Sequence, residues 1–109
     1  MDLKTGELAA QMTEAAIRSF GADWPKAKDY ARAELKKLAQ SLIDIAKLIA
    51  AGKVNKQQAQ ALLQIHRNTT QTVLLTIEGL GVIAVENAIN AALGAVATAV
   101  NKAAGLALL

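Results

Sequence analysis

The uneven distribution of charge constrains this 109-residue chain more than any other feature of its sequence. Of its 21 charged residues, 18 lie in residues 1–67, and residues 68–109 contain only Glu78, Glu86 and Lys102. A helix that is apolar on most sides has to be surrounded by other protein or by lipid. The second part of the chain is therefore expected to be buried, either by the first part or by a partner.

The residue types of the chain are those of helices. Ala and Leu occur 24 and 15 times, and both are strong helix formers. Aromatic residues, which favour strands, make up only 3% of the chain. The chain has no cysteine for a disulfide scaffold, and its 53% hydrophobic content excludes a disordered protein. The sequence therefore predicts an all-α protein with a single helical domain over residues 1–109.

Apolar periodicity and capping signals divide this domain into helices. The clearest apolar stripe consists of Leu35, Leu38, Leu42, Ile45 and Ile49, at alternating steps of three and four residues. Asn55 and Gln58 have the spacing of a capping box, which marks the start of another helix. The predicted helices cover residues 5–20, 24–51, 55–78 and 82–106. Together they predict an antiparallel bundle of three long helices and a short N-terminal helix.

The connection between the last two helices has two interpretations. The apolar stripe after Gly79-Leu80-Gly81 points about 140° away from the stripe before it. Each glycine also weakens a helix by about 1 kcal/mol relative to Ala. We favour a hinge or turn at Gly79 and Gly81, which produces the bundle. In the alternative, the third helix continues through both glycines as one very long helix, and one of its stripes faces another chain.

Few side chains suggest chemistry. His66 and Thr70 lie on the apolar stripe of the third helix, and we expect both to be buried polar residues with a structural role. The alternative, in which His66 is a general base or a pH switch, needs a nucleophile and an orienting partner that the sequence does not place nearby. No Glu is followed three residues later by the His that diiron bundles use. The sequence therefore predicts no catalytic residue, metal or cofactor.

The charge pattern does not favour binding to nucleic acid. The net charge is +3, and the basic run in the second helix is interrupted by Asp29 and Glu34. We expect a solvated helix face for this run, which consists of Lys26, Lys28, Arg32, Lys36 and Lys37. The first residues lack the apolar stretch of a secretory signal, which favours a cytoplasmic protein.

The C-terminal block predicts self-association. Residues 87–109 carry one charge and are long enough to span a membrane, but Asn87, Asn90 and Asn101 are unfavourable in lipid. A row of small residues is expected to pack against a sister chain: Ala91, Ala95, Ala99 and Ala103. The sequence thus favours a non-enzymatic structural or interaction protein, a homo-oligomer without a recognisable small-molecule substrate. The alternative is a membrane-associating protein that binds a lipid surface or forms a pore.

Overall fold

The computed structural model describes residues 3–109, so that Met1 and Asp2 of the predicted domain lie outside the described residues. The chain is all-α, as predicted, and residues 3–109 contain no strand. A 3-10 turn, Gly21–Asp23, joins the first two helices. The helices are α1 (Thr5–Phe20), α2 (Trp24–Ala50), α3 (Lys56–Leu75) and α4 (Val82–Ala104).

The capping box at the start of α3 forms as its spacing predicts. The backbone N–H of Gln58 donates to Asn55 Oδ1 at 2.8 Å, and the backbone N–H of Asn55 donates to Gln58 Oε1 at 2.9 Å. Two N–H groups that would otherwise lack partners are thereby satisfied. This local signal sets where α3 begins.

The core lies between α1, α2 and α4. The stripe of α2 is buried as expected at Leu35, Leu38, Leu42 and Ile45, whereas Ile49 is half-buried. α4 packs against all three other helices and most extensively against α1. Its buried residues are Val85, Ala88, Ile89, Ala92, Leu93, Val96, Val100 and Ala104. Much of the apolar surface in the second part of the chain is therefore covered by the chain itself.

α3 is the least buried of the four α-helices. Of its 20 residues only Ala59, Thr70 and Leu74 are buried. It packs mainly against α2 and makes a smaller contact with α4. α3 therefore lies at the periphery of the molecule, with most of its circumference exposed.

The long continuous helix of the alternative interpretation does not form. α3 ends at Leu75, three residues before the predicted end, and α4 begins at Val82. Gly79 has a φ of +88°, a left-handed conformation that interrupts the helix and that glycine adopts without steric penalty. Gly81 is extended and precedes α4 as its N-cap residue. The two glycines therefore lie in a connection between two helices.

Candidate functional site

Polar side chains line a small cavity between α2 and α3. The cavity has a volume of about 110 Å³. Its polar lining, called here the α2–α3 polar cluster, consists of Glu34, Lys37, Ser41, His66, Thr69 and Thr70. Five types of side chain that can take part in catalysis thus lie together in one place, and their geometry decides what they can do.

His66 faces α2 and is half-buried, whereas the sequence suggested a buried residue. Its Nδ1 lies 3.2 Å from Ser41 Oγ. Thr70 is buried, as expected, but its hydroxyl donates to the backbone carbonyl of His66 at 3.1 Å and not to the imidazole. The partner of the imidazole is therefore Ser41, a residue on another helix that sequence reasoning did not single out.

Glu34 is a second residue of the α2–α3 polar cluster that sequence reasoning did not single out. The sequence presented it only as an acidic interruption of the exposed basic run, yet it is only 7% exposed. Its carboxylate accepts a hydrogen bond from the exposed Lys37 ammonium at 3.2 Å. The spacing of Glu34, Leu38 and Ser41 at i, i+4 and i+7 places them on one helix face, and this spacing was the available signal.

The Ser41 hydroxyl in the α2–α3 polar cluster has two neighbouring polar atoms. Ser41 Oγ lies 3.0 Å from the carbonyl of Lys37, a common hydrogen bond within a helix, so the serine proton has an acceptor other than His66. A nucleophilic serine needs a base that is itself oriented by a third group. Within residues 3–109, His66 makes no hydrogen bond to an acidic side chain, and no group of three His, Asp or Glu side chains could hold a metal.

Three members of the basic run have partners within the chain. Lys26 Nζ lies 3.5 Å from Asp23, Lys37 pairs with Glu34, and the Arg32 guanidinium lies 5.6 Å from the ring centroid of Trp24. All five basic side chains are exposed. The run therefore lies at the surface with part of its charge balanced locally.

The row of small residues on α4 lies along the edge of the core. Ala95 is exposed, and Ala91, Ala99 and Ala103 are half-buried. The row was expected to face water in an isolated chain, but only one of its four members does so. The packing of α4 within the chain therefore covers part of the row.

A surface on α3 has no charged side chains and is exposed to solvent. It consists of the exposed α3 residues Ala61, Gln64, Ile65, Asn68, Thr72 and Leu75, and is called here the α3 outer face. Ile65 is 59% exposed, and the amide of Gln64 donates to Asn68 Oδ1 at 2.7 Å. A shallow groove of about 380 Å³ runs beside Ile65, Asn68 and Thr72. The sequence signal for this face is the near absence of charge between Lys56 and Glu78, where Arg67 alone is charged.

By length and composition, α4 could cross a membrane, and it is the one helix within residues 3–109 that could. Its most apolar 18-residue window has a mean hydropathy of 1.5, and 33% of that window is buried inside the chain. A single helix of this kind is weak evidence for a membrane span, because a core helix of a soluble protein passes the same test of length and composition.

Comparisons complete the description of the site. The chain matches no model of a protein family, no curated protein and no solved structure.

Proposed function

We propose that this chain is a non-enzymatic structural or interaction protein that self-associates through its C-terminal half. The observation that carries the proposal is the α3 outer face. Six exposed positions across four turns contain no charged side chain, and two of them, Ile65 and Leu75, are large and apolar. Charged residues normally dominate the solvent side of a surface helix, and their depletion is typical of interface centres.

An antiparallel arrangement of α2 and α3 within the bundle is part of this proposal. Two pairs of residues support it. Ser41 lies beside His66, and Lys26, two turns before the α2 core stripe, has its side chain beside Gly79. As the residue number falls along α2 from Ser41 to Lys26, the number of the neighbouring residue rises from His66 to Gly79, which is the order expected of two antiparallel helices.

A second copy of the same chain fits the α3 outer face better than a charged partner does. Its polar groups are amides and hydroxyls, which both donate and accept hydrogen bonds and can therefore pair with copies of themselves. A two-fold axis at Asn68 would pair α3 with the antiparallel α3 of the second copy. Ala61 then lies opposite Leu75, so that a small side chain meets a large one.

Single-cysteine cross-linking tests the proposal directly, because the chain has no cysteine of its own. We expect Asn68→Cys to form a disulfide-linked dimer under mild oxidation, since a residue on a two-fold axis lies next to its own copy. Ala33→Cys, at an exposed position of α2, is the matched control and should remain largely monomeric. Light scattering of the unmodified chain measures association independently of the site.

The two measurements separate the parts of the proposal. A chain that is monomeric at high micromolar concentration contradicts self-association altogether. If the chain assembles but Asn68→Cys and Ala33→Cys cross-link equally, the interface does not lie on the α3 outer face. In that case Ala95→Cys tests the row on α4, where Ala95 is the exposed member.

Membrane association is the second candidate function, and one observation favours it. Val82 and Ile83, at the start of the apolar helix α4, are 53% and 74% exposed. Apolar side chains at a helix start can insert between lipid headgroups. Flotation with liposomes tests this function, and Ile83→Lys should abolish recovery in the lipid fraction if these residues anchor the chain.

A further inference from the structure

A cavity between α3, α4 and the C-terminal leucines combines apolar walls with one positively charged side chain. Its volume is about 330 Å³, and it opens to solvent. That volume lies at the lower end of the range that small-molecule sites occupy. Most of the wall is apolar, formed by Leu63, Leu93, Ala97, Leu108 and Leu109.

Arg67 contributes the positive charge of this cavity. It is half-buried, and its guanidinium donates to Oδ1 of Asn90, which also lines the cavity. Asn90 is neutral, and none of the carboxylates in residues 3–109 lies within salt-bridge distance of Arg67. A half-buried cation that makes no salt bridge loses part of its hydration without direct compensation. An anion from solution would compensate for this loss.

Gly94 is an independent observation at the same place. It lies in the middle of α4, where a glycine destabilises a helix by about 1 kcal/mol relative to Ala. No packing constraint explains it, because a Cβ at this position would have nothing within 4 Å beyond its own stretch of helix. Gly94 instead lines the cavity, where the missing side chain leaves room for an occupant.

We propose that the cavity binds a small carboxylate with an unbranched apolar tail, of the medium-chain fatty-acid class. The planar guanidinium of Arg67 matches the two oxygens of a carboxylate, with Asn90 as a second polar contact. The tail would lie over Gly94 and against the leucines. A multiply charged anion such as phosphate suits the site less well, because the remaining wall offers it no further donors.

The site is separate from the α3 outer face. Leu63 and Arg67 lie on the side of α3 that faces α4, whereas Ile65 and Asn68 face solvent. Ligand binding therefore does not depend on the proposed self-association, and each proposal can be wrong while the other holds.

Octanoate and 1-octanol, which share a tail and differ in charge, are the probes for this site. We expect octanoate to shift the backbone amide signals of Asn90, Gly94 and Ala97 in a saturable way in NMR titrations at millimolar concentrations. Octanol should bind more weakly at the same amides. Arg67→Gln should weaken octanoate binding about tenfold or more and leave octanol binding nearly unchanged, because the lost interaction is a charge-assisted one.

Two further variants control the experiment. Lys47→Gln removes the same charge from an exposed position of α2 and should leave both affinities unchanged. Gly94→Leu places a side chain in the cavity without a clash at Cβ and should prevent binding of both probes. The proposal is wrong if octanoate produces no saturable shifts, if Arg67→Gln and Lys47→Gln weaken octanoate equally, or if folded Gly94→Leu binds as the unmodified chain does.

Discussion

The side-chain amide of Asn101 holds Leu109 through two hydrogen bonds. Asn101 Oδ1 accepts from the Leu109 backbone N–H at 2.8 Å, and Nδ2 donates to the Leu109 carbonyl at 3.3 Å. The same Oδ1 accepts from the backbone N–H of Leu108 at 2.9 Å. The segment after α4 is thereby folded back on the helix, and Leu108 becomes buried. Asn101, which the sequence suggested as one of several polar residues on α4, thus closes one wall of the cavity beside Arg67.

Asn101→Ala should release this segment. We expect the free energy of unfolding to fall by about 1–2 kcal/mol, because three hydrogen bonds are lost and Leu108 becomes exposed. Urea denaturation measures the change. Asn87→Ala is the matched control, at an exposed position of the same helix, and should change stability by less than about 0.5 kcal/mol. Equal effects of the two substitutions would contradict the role of Asn101.

Substitution of glycine by alanine should have opposite effects at two positions. At Gly79 the φ of +88° is unfavourable for a residue with a Cβ, and that Cβ would lie 3.3 Å from Lys26 Nζ. Gly79→Ala should therefore destabilise the chain by about 1–2 kcal/mol. Gly94→Ala, inside α4 with open space around it, should stabilise the chain by about 0.5–1 kcal/mol. Thermal denaturation of both variants checks the signs, and a stabilising Gly79→Ala would be inconsistent with the left-handed connection.

His66→Gln should have a small effect on stability. The imidazole is half-buried and has one side-chain hydrogen-bond partner, Ser41, so we expect a loss of no more than about 1 kcal/mol. Leu74→Ala, which truncates a fully buried side chain of the same helix, should lower the stability by about 2–5 kcal/mol. Urea denaturation compares them. If His66→Gln were the more damaging of the two, the α2–α3 polar cluster would have a larger role than its geometry indicates.

Two alanines of α4 should respond differently to a larger side chain. Ala92 is completely buried, so Ala92→Leu should overpack the core and destabilise the chain by about 1–3 kcal/mol. Ala95 is exposed, and Ala95→Leu should change the stability of the isolated chain by less than about 0.5 kcal/mol. Denaturation at low protein concentration separates this effect from assembly. If Ala95→Leu weakens the oligomer but leaves the stability of the isolated chain unchanged, the interface lies at the row of small residues on α4 and not on the α3 outer face.

Local signals in the sequence were sufficient to predict where the helices lie. The start of α3 follows from Asn55 and Gln58, and the core face of α2 follows from its apolar stripe. The ends of helices were less predictable: α3 stops at Leu75, where the Thr76 hydroxyl donates to the carbonyl of Val73 at 2.6 Å. Helix formation depends largely on neighbours within four residues along the chain. The sequence alone therefore contains most of the information needed to locate the helices.

Only the tertiary structure decided which helix faces are covered. Glu34 is buried beside a cavity that α3 residues also line, and Ala91, Ala99 and Ala103 are half-buried within the chain, although their row was expected to pack against a sister chain. The pairing of Arg67 with Asn90 joins residues 23 positions apart, and no spacing rule within one helix could have indicated it. The sequence by itself determined that this chain forms helices with apolar faces. Which faces meet depends on the mutual packing of all four helices, a property of the whole chain and not of any local segment.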